Sequence, residues 1–465
     1  MSKTRLGALD RIFLGMESRE SMMHVGALMP FALPRGKDAS YLQEVVDRLR
    51  ASVEVYPPWN LKLKHPGMLS HPRQAWVEDG RFDLDYHMRR SALASPGDER
   101  ELGILVSRLH SHQMDFHHPL WELHLIEGLE NNRFAMYVKI HHALVDGYTG
   151  AKILADSLAP SAAASRRMLP FFAKPLQSHG TRDRGDASLG GLFEMMKSQL
   201  GASLGAARAM ATVARASRKR GSDLVAPLQA PRSILNQRIS RNRRFATQQY
   251  TLDRVKTLAR TLDCTLNDVV LALSGASLRR LLLEQNALPE KPLIAMLPVN
   301  IRPKDDPGGG NAVGTILASI ATDIADPLRR VEAIKASTAR AKAQLQGMSQ
   351  SAIIQYSAML MAPLSLQQLT GTAGRTRPAF NLVISNVPGP QTPLYFHGCR
   401  LEAVYPLSIP FHGYGLNITI ESYADTVNLG FIGCRDTLPH MQRLAVYSGL
   451  ALEELERAAG TAATG

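Results

Sequence analysis

Apolar residues recur along this chain with two periods, one close to 3.6 and one of 2, and the alternation divides it into helices and strands. In the first half the pattern predicts a helix over 9–17, a strand over 24–31, and helices over 41–53 and 99–112. Strands follow over 121–126 and 133–140, with Asn131-Asn132 as the turn between them, then a helix over 148–158. In the second half the chain passes from strand to helix over 250–262. Thr265, with Asp268 three residues on, resembles a capping box and opens a helix running to Glu284. A buried strand over 293–301, a long amphipathic helix over 327–345, strands over 380–385, 401–405, 416–423 and 427–432, and a closing helix over 438–458 complete the reading.

The stretch from Ser161 to Arg220 breaks this rhythm. It begins rich in Pro, Ser and Gly, and it holds eleven Lys or Arg against three Asp or Glu. Its later part carries Phe193, Met196, Leu200, Leu204 and Ala207 at helical spacing and ends in Arg218-Lys219-Arg220. Two readings stand: a basic amphipathic helix resting on a membrane or lipid droplet, or a linker helix with a solvated basic face. The chain thus divides into an N-terminal unit over 1–160, a basic linker over 161–235 and a C-terminal unit over 236–465, an α/β (α+β) organisation.

With 465 residues, 45% of them hydrophobic and 20% charged, the chain can bury large cores. Its net charge of +13 favours anionic partners. No nucleic-acid motif with interleaved aromatics is present, so a phosphorylated ligand or an anionic membrane surface leads. Cys264, Cys399 and Cys434 are too scattered for a disulfide framework, which suits a reducing compartment. The N-terminus has no apolar signal region and no stretch approaches the ~20 apolar residues of a membrane span. The expectation is a cytoplasmic protein, peripheral at most on the inner membrane or on lipid inclusions.

The sharpest chemical feature is His141-His142-Ala143-Leu144-Val145-Asp146-Gly147, set between a strongly apolar strand and a helix. Such a junction puts side chains at a sheet edge, where sites form. An imidazole near neutral pH can take a proton from an alcohol and return it to a leaving group. Asp146 could hold the loop by pairing with a cation, and Gly147 allows backbone conformations other residues resist. Three readings remain open from residue types alone: a general base, two packed histidines, or a metal site. The metal reading is awkward, because neighbours on extended backbone point to opposite sides. Gly201-Ala202-Ser203-Leu204-Gly205 mimics a nucleophile elbow but lies in a helical stretch without the strand that motif needs. His117-His118 sits in a loop before Pro119 and reads as structural.

The His-His-x-x-x-Asp-Gly motif is similar to that of coenzyme A-dependent acyltransferases and peptide-synthetase condensation domains. The finer resemblance is to the bacterial bifunctional wax ester synthase and diacylglycerol acyltransferase family. It rests on Met23-His24-Val25-Gly26, Pro119-Leu120-Trp121, Asn267-Asp268, Pro298-Val299-Asn300-Ile301-Arg302-Pro303 and Ser385-Asn386-Val387-Pro388-Gly389-Pro390, in that order. The resemblance implies two similar chloramphenicol-acetyltransferase-like domains with mixed sheets and an interdomain tunnel. It implies that His142 is the base, that His141 is packed or supporting, and that Asp146 is structural. Arg302 is the hypothesised partner of Asp146, Asn267 the leading oxyanion donor and Asn386 the weaker candidate. No permanently bound cofactor is expected; acyl-CoA enters as substrate, and the acceptor is a long-chain alcohol or diacylglycerol. A lipid-coating protein without catalysis, and a transferase using a carrier-protein donor, are the alternative functions.

Overall fold

The computed structural model describes residues 4–52, 54–145, 147–175, 228–300, 313–346, 348 and 350–461. In chain order its strands are β1 (Thr4–Arg5), β2 (His24–Ala32), β3 (Leu61–Leu63), β4 (Ala75–Glu78), β5 (Met88–Ala92), β6 (Trp121–Leu129), β7 (Arg133–His141) and β8 (Arg243–Thr251). They continue with β9 (Ile294–Asn300), β10 (Val313–Ser319), β11 (Leu382–Pro388), β12 (Tyr395–Phe396), β13 (Cys399–Leu401), β14 (Tyr405–Leu407), β15 (Leu416–Tyr423) and β16 (Thr426–Cys434).

Two mixed sheets dominate. The first runs β12-β13-β2-β7-β6-β5, with β14 also paired to β2; the second runs β10-β9-β11-β15-β16-β8. Most pairs are antiparallel, but β5 runs parallel to β6, and β11 runs parallel to both β9 and β15. At the β6–β7 hairpin Asn131 and Asn132 both take positive φ, 61° and 54°, a left-handed pair that asparagine tolerates better than most residues. The helix Leu266–Glu284 starts at the capping box expected of it: Thr265 accepts from the Asp268 amide, and the Asp268 carboxylate accepts from the Thr265 amide.

Each sheet buries its own core. In the first half Trp59, Trp121, Phe171 and Phe172 pack with Phe31, Phe134, Val138 and Ile140. In the second half the helices Leu266–Glu284 and Arg443–Ala458 pack with Ile418, Ile420, Leu429 and Phe431 of β15 and β16. All three cysteines are unpaired thiols.

The two halves are knitted together by exchange. After β11 the chain returns to the first sheet, where Tyr395–Leu407 supplies β12, β13 and β14. At β16 the sheets approach so closely that a Cβ on Gly430 would sit 2.1 Å from the Pro406 carbonyl oxygen. On the other side, the backbone amides of Phe245 and Arg243 on edge strand β8 donate to the hydroxyls of Ser107 and Ser111, both at 2.8 Å. These bonds satisfy amides that an edge strand otherwise leaves open. Among the described residues no helix is long and apolar enough to cross a membrane. The basic amphipathic segment from Leu189 to Arg220 and the elbow-like Gly201–Gly205 lie outside the described residues.

Candidate active site

The end of β7 presents both histidines of the motif, and its neighbours fix each in turn. The His141 amide donates to Leu120 O at 3.0 Å and the His142 amide to Met23 O at 2.8 Å, so the starts of β6 and β2 clamp the pair. His24 lies directly across from His141 in the β2–β7 register. Both acceptors are main-chain carbonyls, so it is the strand starts at Met23 and Leu120 that hold the motif's backbone.

The two rings go separate ways: His141 is the last residue of β7, and His142 opens the turn that follows it. His141 is sealed, with 1% of its surface exposed. Its Nδ1 accepts from the Ala143 amide at 3.1 Å, so the proton resides on Nε2, which faces the Glu17 carboxylate at 3.4 Å. Glu17 is itself held by the Met23 amide and by Gln113 Nε2 at 2.7 Å. His142 instead stacks on Phe13, ring centroids 4.0 Å apart, and lines a cavity of about 520 Å³.

That cavity takes walls from both sheets. Apolar residues of the first half (Val25, Ala27, Met29, Val138, Ile140, Leu154) form one side. The opposite side carries Ser385, Asn386, Val387, Thr419 and Glu421 from β11 and β15. Parallel pairing puts Ser385 beside Thr419 and Val387 beside Glu421, so these four share one sheet face. Pro388-Gly389-Pro390 bends across the rim. A Cβ on Gly389 would lie 2.2 Å from the Ser422 carbonyl oxygen and 3.0 Å from Glu421 Oε1, which accounts for a glycine between two prolines. Gly389→Ala should therefore cost about 1–3 kcal/mol, read as a lowered denaturation midpoint.

Asn267 occupies the first turn of the helix Leu266–Glu284 and does not line this cavity. The cap there belongs to Thr265 and Asp268, whose other oxygen accepts from Thr338 Oγ1 at 2.7 Å. Asp146 and Arg302 lie outside the described residues; Gly147 begins the helix Gly147–Asp156. Trp121 is a packing hub: fully buried, it donates from Nε1 to Trp59 O at 2.7 Å and stacks on Phe172 and His87. His117 pairs with Asp115 in its loop, and His118 stacks on Tyr86.

The outward face of the β6–β7 hairpin adds a buried polar cluster that residue spacing did not suggest. Lys139, 1% exposed, meets Glu122 at 2.9 Å and donates to the carbonyls of Leu109 and His112, at the C-terminal end of the helix Glu99–His110. Burial pushes the Glu122 carboxyl up, but hydrogen bonds from His124 and Lys139 outweigh it and hold it at about 2. Burial pulls the Lys139 ammonium below its ordinary value, against the opposing pull of Glu122. Nearby, burial holds His24 and His110 well below the usual imidazole range. Glu17, Phe13 and Glu421 also escaped the sequence reading. Glu17 lies 124 positions from His141, and no local pattern ties them together.

Against this geometry the comparisons with known proteins are consistent. Residues 6–270 match the model of the wax ester synthase/diacylglycerol acyltransferase catalytic domain, and residues 309–456 match that of the WS/DGAT C-terminal domain. A Mycobacterium tuberculosis protein named as a diacylglycerol O-acyltransferase is 52% identical, with 100% of each chain covered. The O-acyltransferase WSD of Acinetobacter baylyi is 42% identical over 95% of this chain and 94% of that protein. The solved wax ester synthase/diacylglycerol acyltransferase from Marinobacter aquaeolei VT8 superposes with a TM-score of 0.78 at 37% identity, covering 98% of this chain and 100% of that one. The first condensation domain of the calcium-dependent antibiotic synthetase, at 16% identity and TM-score 0.55, covers 99% of this chain and 97% of its own and shares the fold alone.

Proposed function

The chain belongs to the wax ester synthase/diacylglycerol acyltransferase family, and we propose that it moves a fatty acyl group from coenzyme A to a long-chain alcohol or a diacylglycerol by direct base catalysis at His142. Membership makes it an O-acyltransferase. The observation that carries the finer reading is the divergence of the two rings: His141 is enclosed against Glu17, and His142 lines a cavity walled by both sheets.

His142 removes the acceptor's proton as its oxygen attacks the thioester carbon. The carbonyl π electrons move to oxygen, and the tetrahedral oxyanion draws on donors already in place. As the carbonyl reforms, the carbon–sulfur bond breaks, and the imidazolium returns its proton to the thiolate of coenzyme A. The roles follow from position. His141 and Glu17 brace the loop, Phe13 fixes the plane of the base, and the apolar wall receives hydrocarbon.

Asn386 borders the cavity and Asn267 does not, which favours Asn386 as oxyanion donor although alternation along β11 starts its side chain on the face opposite Ser385 and Val387. Asn386→Ala should lower kcat by about 10²–10³-fold with KM little changed. A loss of that size from Asn267→Ala alone would move the role there. The assay is thiol release from palmitoyl-CoA with hexadecanol or dioleoylglycerol; release that ignores the acceptor would contradict acyl transfer. We also propose that the basic segment from Ser161 to Arg220 brings the enzyme to an anionic lipid surface, where both hydrophobic substrates reside.

A further inference from the structure

Glu421 is a carboxyl in an unusual place. It sits mid-sheet on β15, only 5% exposed, and it lines the same cavity as His142. Among the described residues no cation or hydrogen-bond donor meets its side chain. An isolated carboxyl that deep is tolerated as the neutral acid, which can donate a hydrogen bond. Burial is the one cause at work here, and it pushes the group up to about 8.

Among the described residues, the groups that flank Glu421 on its own and the neighbouring strands are uncharged polar or apolar. Val387 flanks it on β11 and Asn428 on β16; Thr419 and Tyr423 are its neighbours along β15; Gly389 closes over it. The titratable groups on the surrounding elements are His142 across the cavity, and Tyr405 and Tyr423, both tyrosines raised by burial. Thr419 spends its hydroxyl proton on Asn417 Oδ1 at 2.8 Å. Among the described residues the donors left on this face are therefore Glu421, Ser385 and the buried Asn428 Nδ2, which has no partner. Glu421 and Ser385 form a polar stripe in a chamber whose other lining, His142, Asn386 and Ser408 apart, is mostly hydrocarbon.

A long-chain alcohol has a single oxygen, and the reaction needs it at His142. Bound alone, it would leave the stripe's donors facing methylene groups, which is costly for buried donors. A diacylglycerol carries two ester groups beside its free hydroxyl, and ester oxygens are acceptors only. We propose that Glu421, with Ser385, is a specificity-determining residue of this enzyme, hydrogen-bonding the ester oxygens of a diacylglycerol acceptor and so favouring it over a plain fatty alcohol. The assignment rests on the acyl-transfer reading above. It differs from an amide contact to the pantetheine arm, because acyl-CoA is common to both acceptors.

The test is competition between acceptors with the full chain. The ratio of kcat/KM for dioleoylglycerol to that for hexadecanol, both with palmitoyl-CoA in mixed micelles, is measured in wild type, Glu421→Leu and Glu421→Gln. Leucine removes the donor and should lower the ratio about tenfold or more; glutamine keeps an N–H donor and should retain most of it. In wild type the ratio should fall as pH rises through 8, because ionisation removes the donor and puts a charge in an apolar chamber; in Glu421→Gln it should stay level. An unchanged ratio in Glu421→Leu overturns the proposal, as does a parallel fall with both acceptors, which would place the stripe on coenzyme A. A wild-type ratio indifferent to pH across 7–9 also overturns it. Wild-type protein that transfers to neither acceptor overturns the acyl-transfer reading itself.

Discussion

His142→Ala is expected to lower acceptor-dependent thiol release by about 10²–10⁴-fold while leaving the fold intact, the range typical of losing a positioned general base. The structural case for an intact fold is that the ring of residue 142 lines a cavity, where it stacks on Phe13, and is not sealed in the core as His141 is. The backbone amide that pins the loop to Met23 survives the substitution. His141→Ala should behave differently. It removes a sealed ring with contacts to Glu17, Phe116 and the Ala143 amide, so its cost should appear in the denaturation midpoint as well as in kcat. Circular dichroism and a denaturant titration beside the thiol assay separate the two. If His142→Ala retained a rate within fivefold of wild type, the base would have to be sought elsewhere.

The second large effect is on stability. Glu122→Ala should cost about 3–5 kcal/mol at pH 7, because it strands the Lys139 ammonium in the interior. The displacement of Glu122 from 4.5 to about 2 points to the same order, roughly 3 kcal/mol. The sign follows from the direction. A carboxylate whose folded value is depressed contributes stability above its unfolded value near 4.5, and that contribution fades as pH falls through 2. Wild type should therefore lose stability steeply between about pH 4.5 and 2, and Glu122→Ala should lose less over that interval. Replacing both partners, Glu122→Leu with Lys139→Met, should recover much of the loss, since the stranded charge is gone. Urea midpoints at pH 7 and pH 3 test this; a single variant as stable as wild type would mean the pair is not buried in solution.

Local pattern carried much of this architecture. The helix Leu266–Glu284, the strand Leu416–Tyr423 and the Asn131-Asn132 hairpin were legible because cap, period and turn chemistry all act within a few residues. The helix Gln350–Leu369 was not, because it is apolar nearly all round and contains Pro363, so it shows no single face. The strand expected over 401–405 is instead two short strands, β13 and β14, that leave the second half and pair with β2. Which sheet a three-residue strand joins depends on partners hundreds of positions away, and alternation says nothing about them.

The site divides the same way. The motif at the end of β7 marked the histidine pair, the family resemblance it carries singled out His142, and strand alternation argued only against both rings facing one metal. The opposite wall was hidden, because β11 and β15 pair in parallel across a long excursion that includes three strands of the other sheet. Only that pairing sets Ser385, Thr419 and Glu421 on one face. Asn267, chosen from a motif at a helix start, turns out to sit beside a cap made by its neighbours, away from the cavity lining.

The imidazole of residue 142 is to strip the acceptor's proton in the same step in which that oxygen attacks the thioester. Rapid-quench measurement of thiol and ester, with palmitoyl-CoA added before hexadecanol, addresses it most directly. No thiol and no acylated protein should form until the alcohol arrives; thiol and ester should then rise together, and neither should exceed background in folded His142→Ala. A burst of thiol before alcohol is added, leaving the acyl group covalently on the chain, would contradict that step.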